Sequence, residues 1–229
     1  MRPVDKGSSP EDFSDYREAA PFLEDRLGRY CNYCERRLET NLAVEHVQPK
    51  SREPELARDW DNYLFSCVNC NSSKGDTEVE LEQYLWPDRD NTSRAFKYGE
   101  AGVISVSDRV SGESGVEAQA KALITLVGLD KVPGSSNPPT DADQRWIRRA
   151  EIWVFAIRAR TAIRTTDTEE TRELAIVAAI GWGGFSIWMD VFEDDEEFRN
   201  RLISAFAGTS VECFEPDSTI PIPRPGGAC

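Results

Sequence analysis

The sequence predicts an α+β fold that is mostly helical, with a small β-containing module stapled by four cysteines and a helical C-terminal region. Three observations predict it. Two Cys-x-x-Cys pairs, Cys31/Cys34 and Cys67/Cys70, accompany the short apolar runs LAVEHV and NYLFSC, whose length and aromatic and β-branched content suit a hairpin. From about Val116 onward four segments, VEAQAKALITLVGL, TDADQRWIRRAEIWVFAIRARTAI, TEETRELAIVAAIGW and DEEFRNRLISAF, place apolar residues at helical spacing.

Taken in order, residues 1–29 form an N-terminal helical segment. Ser9 is the expected cap, Pro10 suits the first turn, Glu11 and Asp12 favour the positive end and Gly28 stops it, while Pro21 is expected to split it into two short helices. Residues 30–80 hold the cysteines and the hairpin, with a short helix after Cys70 ending near Gly75. Residues 81–115 mix turn signals (WPDRDNTS) with a strand-like VISV, giving a connector with some β structure. Residues 116–212 are the helical region, whose first two helices are separated by the loop KVPGSSNPPT. Trp146, Ala150, Trp153 and Ile157 recur at helical spacing and are expected as a buried stripe. The acidic run Glu193–Glu197 favours the start of the last helix. Residues 213–229, rich in Pro, have the composition of a disordered tail, and Cys213 and Cys229 stand apart from the other four cysteines.

Charge narrows the functional classes. The 229 residues include 41 Asp plus Glu against 27 Lys plus Arg, a net charge of 27 − 41 = −14. Phosphate affinity comes from Lys and Arg, so a general basic nucleic-acid binder is excluded, and any nucleic-acid contact must be local or aided by a partner. The chain has no apolar run of about 18 residues and its start turns charged too early for a signal peptide, so a cytoplasmic location is expected. No G-x-x-x-x-G-K-[ST] loop is present, so energy-driven work would need another subunit. The single histidine, His46, excludes zinc sites built on two or three histidines and leaves one candidate for any histidine general base.

The two Cys-x-x-Cys knuckles of Cys31, Cys34, Cys67 and Cys70 match a closed, tetrahedral, structural zinc site. Such a site has no open position for a substrate, so chemistry must sit elsewhere. Between and beside the knuckles come Glu45-His46, then Asp59-Trp60-Asp61-Asn62, then Cys70-Asn71-Ser72-Ser73-Lys74. From Tyr30 to Asp76 this pattern resembles the HNH endonuclease family, with Asn71 in the last position, an H-N-N variant. The resemblance implies a ββα-metal module and phosphodiester hydrolysis. It implies His46 as the base that activates water, Glu45 and Asn71 as ligands of a catalytic Mg²⁺ or Mn²⁺, and Asn62 as a brace for the loop. Lys74, and with it Lys50 and Arg52, would contact nucleic acid, and Arg36 and Arg37 could line the same groove. On a strand Glu45 and His46 point to opposite faces, so they share a site only where the strand bends or ends; Pro49 makes an ending there plausible.

The wider layout resembles the nucleases of antiphage defence systems, which implies a partner ATPase of the ABC or SMC type. DNA is the first expectation for the substrate, and single-stranded DNA or a structured RNA such as tRNA fits the same chemistry. Two other classes compete: a non-catalytic zinc-ribbon adaptor that binds nucleic acid or protein, and a thiol redox protein, which would need reactive cysteines instead of four locked to zinc.

Overall fold

The computed structural model describes residues 1–229. Its helical entry begins later than Ser9. Residues 8–14 only bend, and Asp15 is the cap: its carboxylate accepts from the Arg17 amide while Glu18 reaches back to the Asp15 amide, a capping box. A 3-10 turn, Tyr16–Ala19, then leads into α1 (Ala20–Leu27), where Pro21 occupies the first turn instead of splitting the helix, and Gly28 ends it.

β1 (Leu42–His46) and β2 (Tyr63–Cys67) form an antiparallel pair with His46 opposite Tyr63 and Leu42 opposite Cys67. The chain turns from β2 directly into α2 (Val68–Lys74), with Cys67 as its cap, so Cys70 lies inside the helix and not before it; Gly75 stops it. A short α3 (Thr92–Ala95), capped by Asn91, precedes a second small antiparallel pair, β3 (Phe96–Tyr98) and β4 (Ile104–Val106). Five helices complete the chain: α4 (Ser114–Leu126), α5 (Arg145–Thr165), α6 (Glu169–Trp182), α7 (Phe185–Val191) and α8 (Glu196–Ala205). Thr168 caps α6 and Asp195 caps α8, with Glu196 and Glu197 in the first turn of α8, where the helix dipole favours them. No helix is long and apolar enough to cross a membrane.

One hydrophobic core runs through the whole chain, from Val4 and Leu23 through Tyr33, Phe65 and Trp86 to Trp188 and Phe206. Two expectations change here. The buried stripe of α5 is offset by one residue: Arg145, Arg149, Ile152, Ala156 and Ile163 face inward, and Trp146, Ala150, Trp153 and Ile157 flank it half-buried. Two arginines turn inward because loop carbonyls meet them there, Arg149 donating through Nε to Gly102 O at 2.7 Å and through Nη2 to Leu129 O at 3.2 Å. The C-terminal segment is ordered, not a disordered tail. Asn91 donates through Nδ2 to the carbonyls of Cys213 and Ile222, the Ala228 amide donates to Asp90, Arg224 reaches Val4 O, and Cys229 is buried. These specific contacts order a segment whose composition alone offers little apolar surface.

Candidate active site and metal centre

The first knuckle is held against the hairpin by Asn32, whose amide donates to Phe65 O at 2.9 Å and whose Oδ1 accepts from the Phe65 amide at 2.7 Å. Cys31 and Cys34 thereby face Cys67 and Cys70 at the end of β2 and the start of α2. The four sulfurs lie within 4.8 Å of one another, all buried, with Cys34 and Cys67 at 3.7 Å. A tetrahedron of Zn–S bonds near 2.3 Å has edges of about 3.8 Å, so the cage fits zinc. Its protonation balance agrees. Burial pushes the Cys34 and Cys70 thiols well up, so holding all four sulfurs as thiolates would take a cation such as zinc among them. Cys213 lies outside the cage, and burial raises its thiol to about 11, leaving it unreactive.

His46 is the last residue of β1. Its Nε2 lies 3.0 Å from Ala57 O, which also accepts from the Tyr63 hydroxyl at 2.9 Å. A carbonyl only accepts, so Nε2 carries the hydrogen and Nδ1 is left with the free lone pair. Aromatic edges hold the ring in this pose, Tyr63 at 5.3 Å and Tyr16 at 4.9 Å between centroids. Burial lowers the His46 pKa more than the Ala57 bond raises it, which favours the neutral base. Asn62 stands behind the site: Oδ1 accepts from the Gln48 amide at 2.7 Å, and Nδ2 donates to Gln48 O at 2.9 Å and Leu56 O at 3.3 Å, tying together the loop that follows His46.

In front of His46 is a pocket of about 240 Å³ lined by Tyr16, Glu45, His46, Lys50, Asn71, Lys74 and Asp76, among others. Glu45 and His46, the last two residues of β1, both line it. Lys50 is exposed, its Nζ 3.9 Å from the Tyr16 ring centroid; Arg52 is exposed and donates to Asp76 O at 3.2 Å. Lys74 departs from expectation. It is 1% exposed, its Nζ pairs with Glu45 Oε1 at 2.9 Å and donates to His46 O at 2.8 Å, so it is committed inside the module and does not present a free charge to phosphate. Arg36 and Arg37 also lie off this pocket, Arg36 beside the cysteine cage and bonded to Asn69, Arg37 paired with Glu39. A larger neighbouring groove of about 670 Å³ carries Glu11, Asp12, Glu55, Asp59 and Asp61 against the single cation Arg58, which disfavours phosphate there. Sequence reasoning missed Tyr16 and Asp76, which reach the pocket from outside the motif's named positions and carry no signal of their own.

Two antiparallel strands lead into a helix, with a histidine ending the first strand and an asparagine on the helix, a ββα arrangement. Residues 31–77 match the family model for HNH endonuclease. The chain is also similar to Septu protein PtuB of Bacillus thuringiensis, with 39% identity over 70 residues, covering 29% of this chain and 27% of the relative. The match therefore spans about a quarter of that protein's length.

Proposed function

We propose that this chain is a metal-dependent endonuclease that hydrolyses phosphodiester bonds in nucleic acid, DNA in the first instance, as the nuclease of a Septu-type antiphage system. The observation that carries this reading is His46: its Nε2 is fixed on Ala57 O and its Nδ1 is left as a base, inside a module that matches the HNH model. In the reaction His46 accepts a proton from water, the resulting hydroxide attacks phosphorus, and the bond to the leaving oxygen breaks, that oxygen taking a proton from solvent. Glu45 and Asn71 offer the hard oxygen donors that suit Mg²⁺ or Mn²⁺, and both line the pocket with His46. Such a cation would offset the charge developing on the phosphate. Asn62 keeps the loop after His46 in register, and the neighbouring cysteine cage would, with zinc bound, keep β2 and α2 in place. Lys50 is exposed and lines the pocket, and Arg52 is exposed and bonded to the backbone of Asp76, another lining residue, so both are available to a phosphate backbone.

The net charge of −14 and the acidic groove beside the site support dependence on a partner that supplies the basic surface, in the form of an ABC/SMC-type ATPase (PtuA-like). The test is cleavage of duplex DNA, single-stranded DNA and tRNA by the purified chain with Mg²⁺ or Mn²⁺, with and without that ATPase. His46→Ala should lower the rate by about 10²–10⁴, with fold and zinc content unchanged. Wild-type cleavage by the variant would overturn the reading, since no second histidine exists.

A further inference from the structure

Arg145 opens α5, 75 positions beyond Cys70 in the chain, yet its guanidinium ends at the cysteine cage. Nη1 lies 3.1 Å from Cys70 Sγ and donates to Val127 O at 2.6 Å. Nη2 donates to Gly128 O at 2.9 Å and to Asp143 Oδ2 at 2.6 Å, and Nε donates to Asp143 Oδ1 at 2.8 Å. Every N–H of the fork therefore has an acceptor, on a residue that is 2% exposed. Asp143 already balances the guanidinium charge, so the contact to sulfur is not needed to neutralise Arg145. The sulfur is what gains. Four thiolates around one Zn²⁺ leave a net charge of −2 in a buried cage, and an N–H aimed at one of them spreads that charge and fixes the ligand's direction.

We infer that Arg145 is the outer-sphere donor to the Cys70 thiolate of the zinc centre, and that the metal in the nuclease module thereby anchors the α4–α5 junction. The inference rests on the cage holding zinc. Gly128 shows how closely the two parts approach: at φ +64° a Cβ there would stand 2.8 Å from Ser73 Oγ on α2 and 3.2 Å from Arg145 Nη2. The first knuckle makes the matching contact to the later helices. Glu35, just after Cys34, accepts from the Ser186 amide at 2.8 Å and the Ser186 hydroxyl at 2.7 Å, and its carbonyl accepts from the Gly184 amide at 2.9 Å. Each pair of zinc ligands thus carries one tie to the helical region, and zinc occupancy sets the attachment of that region as well as the fold of the hairpin.

The experiment uses the full-length chain as wild type, Arg145→Met and Arg145→Lys. Zinc affinity is read by competition with a chromophoric chelator, and the cobalt-substituted proteins are compared by their thiolate-to-cobalt absorption. Arg145→Met should bind zinc about 10–100-fold more weakly and shift the thiolate-to-cobalt band, because one sulfur has lost its hydrogen bond. Arg145→Lys, which keeps the charge without the fork, should also bind more weakly, and it serves as the test if the Met variant does not fold. A residue that only packs would leave the cobalt band in place. Unchanged zinc affinity and an unchanged band in either variant overturn the inference alone. Absence of zinc from the wild-type protein overturns the metal centre and the inference together.

Discussion

Lys74 Nζ stands 2.9 Å from Glu45 Oε1, with the two side chains 1% and 4% exposed. A buried pair of this kind is worth little against a hydrophobic replacement of both partners, but removing one partner strands the other. Lys74→Met should therefore destabilise the protein by about 3–5 kcal/mol at neutral pH. Burial raises the Glu45 pKa and Lys74 opposes that rise. A carboxyl whose folded pKa lies above its unfolded value favours the fold while protonated and loses that contribution as pH rises through the folded pKa. Without Lys74 the folded pKa climbs further, so the deficit of the variant should be small in acid and grow toward neutrality. Urea unfolding of both proteins across that range reads it, and a deficit that does not change with pH would contradict the pairing.

His46 should set the acid limb of cleavage. Burial lowers its pKa from the ordinary value of 6.5, the Ala57 bond partly offsets this, and the nearby Lys50 and Lys74 charges lower it further. The base form then persists below 6.5, so kcat/KM should stay level through neutrality and fall only on the acid side of that value. Lys50→Ala removes one lowering charge and should move the limb upward. A limb that lies above 6.5 in the wild type would place the titrating group elsewhere.

Gly183 ends α6 at φ +76°, where a Cβ would sit 2.4 Å from Glu35 O and 2.7 Å from the Arg37 amide. Both obstacles are backbone of the first knuckle and cannot swing aside. Gly183→Ala should cost at least about 2 kcal/mol from the left-handed backbone and the clash together, and should loosen zinc binding as well. Thermal unfolding with zinc quantification checks both effects.

The isolated chain should bind duplex DNA weakly at physiological salt, because its charge of −14 offers few cations to displace phosphate counterions. Titration by fluorescence anisotropy at two salt concentrations measures this. Tight binding with a steep salt dependence would show that the chain carries its own basic groove and that a partner serves another purpose.

Local features were legible in the sequence. The cysteine spacing, the hairpin runs and the glycine stops of α1 and α2 depend on neighbours a few residues away, and the structure places Glu45, His46 and Asn71 on one pocket. No local pattern marks Lys74, Arg145 or Arg149 as inward-facing, since each is buried against acceptors from distant segments. Ser9 and Asp15 both suit a cap; only Asp15 has a glutamate three residues on, at Glu18, to complete the box.

By itself the sequence determined which residue types meet in the module, because a four-cysteine cluster and a strand–loop–helix motif need only those types at fixed short spacings. The tertiary structure alone decided that the cage sits inside a core shared with the helices, that Lys74 faces Glu45, and that the last residues pack against Asp90 and Asn91. Those outcomes turn on which buried donors and acceptors meet across 28 to 138 positions of chain. A buried charge is stable only where the fold supplies its partner, so no local pattern could have named them.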